Sequence, residues 1–116
     1  MKVLKISDVK REERKSNLFV GQVTGQALID EKMAKLLRIT MINFSPGAKN
    51  IFHTHTSEQV LYVTGGKGIV ATEEQEFIVE PGTMIFVPAG ERHWHGATPN
   101  DSFSHLSIIT PGETKF

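Results

Sequence analysis

The sequence predicts an all-β fold, a small β-barrel or jelly roll, and two observations carry the prediction. From Leu18 onward the chain breaks into short runs rich in Val, Ile, Phe, Thr and Leu, parted by Gly, Pro and Asn or Asp at intervals of roughly ten residues. The dividing residues supply turn chemistry: a fixed φ, a positive φ, or a side-chain bond that closes the turn. Short strands joined by tight turns fit a barrel or jelly roll whose alternate side chains line an enclosed space.

Taken in order, the expected strands are 19–29, 35–44, 50–55, 59–64, 67–72, 75–80, 83–88, 92–98 and 102–110. Ser45-Pro46-Gly47, Gly65-Gly66, Pro81-Gly82, Pro88-Ala89-Gly90 and Pro99-Asn100-Asp101 mark turns between them. Residues 1–17 are the only charge-dense segment and read as a solvated arm or one helical turn, with no chemistry assigned. Residues 18–116 are expected to form one barrel domain, long enough to bury roughly two-thirds of its unfolded surface.

Thirteen basic residues balance thirteen acidic ones, so no excess charge draws the chain to nucleic acid or anionic lipid. The absence of cysteine excludes disulfides, thiolate metal sites and a cysteine nucleophile. The amino terminus is too charged for a signal peptide, and no later run approaches the roughly eighteen apolar residues of a membrane span. The expected location is the cytoplasm, with no nucleic-acid or membrane partner.

Chemistry is concentrated in the histidines. On a strand, side chains at i and i+2 share a face, so His53 and His55 project together, as do His93 and His95 with Trp94 opposite them. The same parity aligns Phe103, His105 and Ser107. All five histidines thus fall in three strands at paired or alternating positions. Neighbouring buried imidazoles are costly unless their lone pairs are shared, and a divalent metal is the usual partner. Trp94 reads as packing.

The stretch Gly47-x5-His53-x-His55-x3-Gln59-x5-Gly65 resembles the first motif of the cupin family, and Gly82-x5-Pro88-x-Gly90-x2-His93 resembles the second. The resemblance implies a cupin β-barrel, a homodimer, and one metal held by His53, His55, Gln59 and His93. Gln59 stands where many cupins have glutamate; Glu58, one residue earlier, is the alternative ligand, and Gln59 keeps the family spacing. Ala97 also departs from the family pattern, at a position that is no ligand. Three imidazoles and a neutral amide oxygen leave the ion's charge uncancelled, so the site should favour a bound or developing anion. The donor set fits Mn, Fe, Ni, Co or Zn.

The runs PAGERHWHGATPNDSFSHLSI and HTHTSEQVLYVTGGKG are similar to a subgroup of small cupins that includes cupin-type hydroxynitrile lyases and carboxymuconolactone decarboxylase-associated cupins. That similarity implies manganese, a small organic substrate, and His105 as the base; His95 reads either as a catalytic helper of His105 or as a histidine behind the ligands or at the barrel rim. The function expected is lyase chemistry, C–C cleavage or formation at a carbon bearing oxygen. An Fe-dependent dioxygenase and a non-catalytic metabolite-binding module are the alternatives.

Overall fold

Alternation of apolar with polar residues gives most strands one face that avoids water, and the computed structural model, which describes residues 1–116, turns those faces toward each other between two sheets. One sheet has six strands in the order β1 (Glu12–Glu13), β3 (Val23–Ile29), β4 (Arg38–Phe44), β12 (Phe103–Ile109), β7 (Gln59–Gly66) and β10 (Met84–Val87). The other has five, in the order β2 (Phe19–Val20), β5 (Lys49–Asn50), β11 (His93–Ala97), β8 (Gly68–Thr72) and β9 (Glu76–Val79). A short ladder of β6 (Thr54–His55) with β13 (Thr114–Lys115) stands apart from both. Neighbouring strands are antiparallel throughout. This is the expected all-β jelly roll, open at the sheet edges rather than sewn into a closed ring.

The core lies between the sheets, centred on Val23, Phe44, Leu61, Val63, Val70 and Phe103. Phe44 and Phe103 stack with centroids 5.8 Å apart. Truncating so buried a phenylalanine as Phe103 to alanine costs roughly 3–5 kcal/mol, a large share of a small domain's stability.

Three expected elements differ from those observed. The run 19–29 is two strands, because Gly21 takes φ 85° and packs too close to Ala48 for a Cβ, so β2 and β3 enter different sheets. The run 35–44 begins only at Arg38, whose Nη1 donates to the Ala34 and Leu37 carbonyls (2.8 and 2.9 Å) and holds the preceding turn together. The run 50–55 is broken between β5 and β6, and His53 meets β11 through an isolated bridge.

The amino-terminal segment does contain one helical turn, a 3-10 turn over Ile6–Asp8, but the segment is docked against the six-stranded sheet. Gln26, 4% exposed, donates through Nε2 to the carbonyls of Ile6 (3.0 Å) and Val9 (2.9 Å). Its Oε1 accepts from Asn43 Nδ2 at 3.2 Å, and Asn43 Oδ1 accepts from Ser104 Oγ at 2.8 Å. Each buried polar group in this row is therefore satisfied by the next. Beyond the turn, β1 pairs with β3, Glu12 opposite Gly25 and Glu13 opposite Thr24.

Candidate metal centre

The two histidine motifs are joined by their own backbone. His53 N–H donates to the His93 carbonyl (2.9 Å) and His93 N–H returns a bond to the His53 carbonyl (3.0 Å), which brings their rings to a centroid separation of 4.3 Å. His55 lies two residues on, in β6, and its carbonyl accepts from Gly90 N–H at 2.8 Å. The rings of His53 and His55 are 4.8 Å apart, those of His55 and His93 5.4 Å. One ring nitrogen from each of the three lies within 4.8 Å of the others. His53 and His55 thus share a face as the parity argument requires, although no single continuous strand carries them.

Each ring has its Nδ1 committed. His53 Nδ1 donates to the Ile51 carbonyl (2.7 Å), His93 Nδ1 to the Glu91 carbonyl (2.9 Å), and His55 Nδ1 meets Thr114 Oγ1 (2.9 Å). A carbonyl can only accept, so the Nδ1 of His53 and of His93 carries the proton and their Nε2 presents a lone pair. Gln59, 5% exposed, is fixed in the same way: Nε2 donates to Ser107 Oγ at 2.9 Å, which leaves Oε1 facing away from that bond. Glu58 is exposed, so the alternative oxygen donor is in solvent and Gln59 is the one at the cluster.

The buried Nε2 atoms of His55 and His93 and the buried Oε1 of Gln59 have no hydrogen-bond partner. Burying an unpaired acceptor costs about 1–3 kcal/mol, and the site concentrates three of them. A cation that accepts electron pairs from two imidazoles and an amide oxygen, with His53 as the further donor, removes that cost; the residues present therefore fit one metal ion. Burial pushes the His53 imidazole down to about 4, partly offset by the Ile51 carbonyl and helped by the neighbouring His93 and His55 rings. Burial also lowers His55 and His93. The rings are thus neutral at pH 7, the state in which imidazole ligates metal.

His95 and His105 form a second, separate pair. His105 Nε2 and His95 Nδ1 are 3.0 Å apart, and both rings pack on Phe44 at centroid distances of 5.7 and 5.9 Å. Burial pushes His105 down to about 4 and His95 well below its usual value, with the charge of His105 acting further on His95. A bulge positions His105: β12 slips against β7 between Ser104 and His105, which sets His105 opposite the core residue Val63. Asn50 holds His95 in place: its Oδ1 accepts from His95 N–H (2.8 Å), and its Nδ2 lies against the ring, 3.1 Å from Nε2 and 3.4 Å from Nδ1. One proton is shared along the contact between His95 Nδ1 and His105 Nε2, and His105 Nδ1 is a buried atom with no partner.

A cavity of about 190 Å³ connects these groups: His53, His55, Gln59, His95, His105, Asn50 and Ser107 line it, with Thr40, Ile42, Ile109 and Thr114. His93 instead faces a neighbouring hollow of about 140 Å³ shared with His95, Leu61 and Val87. Trp94 points the other way from its two histidine neighbours, with Lys49 Nζ 5.0 Å from its ring centroid. Sequence reasoning missed Asn50, Thr114 and Arg14, all on the cavity wall. Asn50 had a signal, its place three residues before the first histidine pair. Thr114 and Arg14 had none, because strand pairing alone brings them there.

The model of the cupin domain matches residues 40–109. The chain is a cupin. It is 31% identical over 113 residues to an (R)-mandelonitrile lyase of Granulicella tundricola, a match covering 93% of this cupin and 83% of that protein. It is 35% identical over 65 residues to an acireductone dioxygenase of Parasynechococcus marenigrum, which covers 53% of this cupin but 35% of the dioxygenase. Among solved structures, the polyketide cyclase RemF from Streptomyces resistomycificus superposes with a TM-score of 0.90 at 26% identity, covering 99% of this cupin and 84% of that chain. No helix of this cupin is long and apolar enough to cross a membrane.

Proposed function

We propose that this cupin is a metal-dependent lyase that makes or breaks a C–C bond at a carbon bearing oxygen in a small organic substrate. The observation that carries the reading is the adjacency of two groups on one cavity: unpartnered donors suited to a metal, and a hydrogen-bonded histidine pair suited to moving a proton. His53, His55, Gln59 and His93 hold the ion. When bound, a divalent ion supplies Lewis acidity, steadying negative charge on a substrate oxygen or a departing anion. Manganese is the ion we propose; Fe, Ni, Co and Zn suit the same donors.

The chain's own residues do the rest. Phe44 and the barrel wall keep water from His95 and His105, which keeps both rings neutral. His105, neutral, takes a proton from the substrate side to become an imidazolium and, in the reverse direction, gives it back; His95, 3.0 Å from its Nε2, steadies the ring, and Asn50 holds His95. The partial match to an acireductone dioxygenase favours a second reading, an Fe-dependent dioxygenase using the same donors.

Elemental analysis of the purified protein and an air-free assay with mandelonitrile separate the readings. The lyase reading expects benzaldehyde from the wild type and its loss in His105→Ala with metal retained. Oxygen uptake dependent on Fe(II) favours the dioxygenase. Absence of turnover, with melting shifts on adding metabolites, replaces both with a binding module.

We further propose a homodimer. Its support is the outer side of the six-stranded sheet, where Tyr62, Met84 and Phe86 are exposed. Light scattering on wild type and Phe86→Asp checks it; a monomeric wild type removes it.

A further inference from the structure

We propose that Arg14 makes this cavity selective for substrates carrying a carboxylate, with Gly25 as the gap that admits its guanidinium. The proposal rests on the reading of the metal-centre cavity as the substrate site.

Strand register delivers Arg14 to the inner side. It follows β1, and its N–H donates to the Val23 carbonyl at 2.8 Å, continuing the pairing of Glu12 with Gly25 and Glu13 with Thr24. Residues opposite one another on antiparallel strands share a face, and Val23 belongs to the core. Arg14 therefore reaches inward although most of it is exposed, and it lines the cavity that ends at the fully buried His105.

The path of the side chain needs glycine. A Cβ at Gly25 would stand 2.7 Å from Nη2 and 2.9 Å from Cζ of Arg14, and closer still to Nε. Any other residue there would push the guanidinium off this track.

The guanidinium is also free to act. The ion pairs of this cupin are Lys15 with Glu13 and Arg92 with Glu73, so Arg14 is in neither, even with Glu12 two residues before it. Among the fourteen residues lining the cavity Arg14 is the one that is always charged, and no carboxylate is among them. A cation left without an internal counter-charge, beside donors suited to a second cation, makes the space one that an anion completes. Arginine offers two parallel N–H groups that match the two oxygens of a carboxylate. The substrate class is accordingly a small hydroxy or oxo acid, its carboxylate on Arg14 and its reacting oxygen toward His53, His55, Gln59 and His93.

Calorimetric titration of the metal-loaded protein with mandelate, mandelamide and inorganic phosphate tests this. Mandelate should bind at least about tenfold tighter than mandelamide. In Arg14→Gln that preference should disappear with the mandelamide affinity, metal content and melting temperature unchanged, and Gly25→Ala should weaken mandelate binding in the same direction. The same loss in Arg14→Gln should persist in metal-free protein. A preference for mandelate that survives Arg14→Gln overturns the role of Arg14 and leaves the metal-site reading standing. Phosphate competing as strongly as mandelate overturns the carboxylate assignment. Failure of wild type to take up metal, or of metal-loaded wild type to bind either mandelate or mandelamide, overturns the site reading and the proposal with it.

Discussion

His105 Nε2 lies 3.0 Å from His95 Nδ1, and the amide nitrogen of Asn50 lies against the His95 ring, 3.1 Å from its Nε2. Replacing Asn50 with aspartate puts an acceptor where a donor stood. His95 should then hold its proton on Nε2 and His105 on Nε2, leaving His105 Nδ1 an acceptor. Nitrogen-15 shifts of the two imidazoles report the tautomers directly; unchanged shifts in Asn50→Asp would show that Asn50 does not control them. Removing the ring altogether in His105→Ala should lower turnover roughly 10²–10⁴-fold with metal content intact.

Gln59 offers the proposed ion an oxygen without a charge. In Gln59→Glu a carboxylate cancels part of the ion's charge, so metal should be held more tightly while an anion is stabilised less. Chelator competition should show slower metal loss, and turnover should fall by less than the roughly 100–1,000-fold that removing a whole electrostatic donor costs, because the ion is weakened and not removed. Faster metal loss would place the Gln59 oxygen outside the ligand set.

Thr114 Oγ1 sits 2.9 Å from His55 Nδ1, on the side of the ring away from the cluster. Groups in this position orient ligand histidines, and their loss commonly weakens metal binding 10–100-fold. Thr114→Val keeps the shape and removes the hydroxyl. We expect metal affinity to drop roughly tenfold in a competition assay, with little change in melting temperature of the metal-free protein.

Metal-free protein should lose stability on mild acidification. His53 and His105 titrate at about 4 when folded, whereas an unfolded histidine titrates near 6.5. Between these values the unfolded chain binds more protons, so stability is full above about pH 6.5, declines as pH falls toward about 4, and levels off below it as far as these groups are concerned. A melting temperature lower by roughly 10–20 °C at pH 5 than at pH 7.5 is the expected reading, reflecting about 2 kcal/mol from each of the two rings. A flat profile over that range would show that both rings are solvated.

Much of the centre was legible because strand parity survives irregular backbone. His53 and His55 share a face across a broken strand, and the face shared by His93 and His95 is kept by one continuous strand. Strand parity also puts Gln59 on the buried side and Glu58 in solvent. What stayed hidden depends on pairing between distant segments. Residues 1–17 show only charge in the sequence, yet Gln26 gathers the 3-10 turn and β1 follows β3 far enough to carry Arg14 inside. Nothing local marks Thr114 either, since its partner strand is β6. The break at Gly21 was concealed because a positive-φ glycine and an ordinary strand glycine read alike.

The stretch matched by the family model, 40–109, contains every proposed ligand but neither Arg14 nor Thr114. The proposed ion site and the residue proposed to select its substrate are therefore written in separate parts of the gene. On that division, changes confined to the two flanking segments would leave the inorganic chemistry in place while retuning selectivity, a route by which one scaffold diversifies without rebuilding its centre.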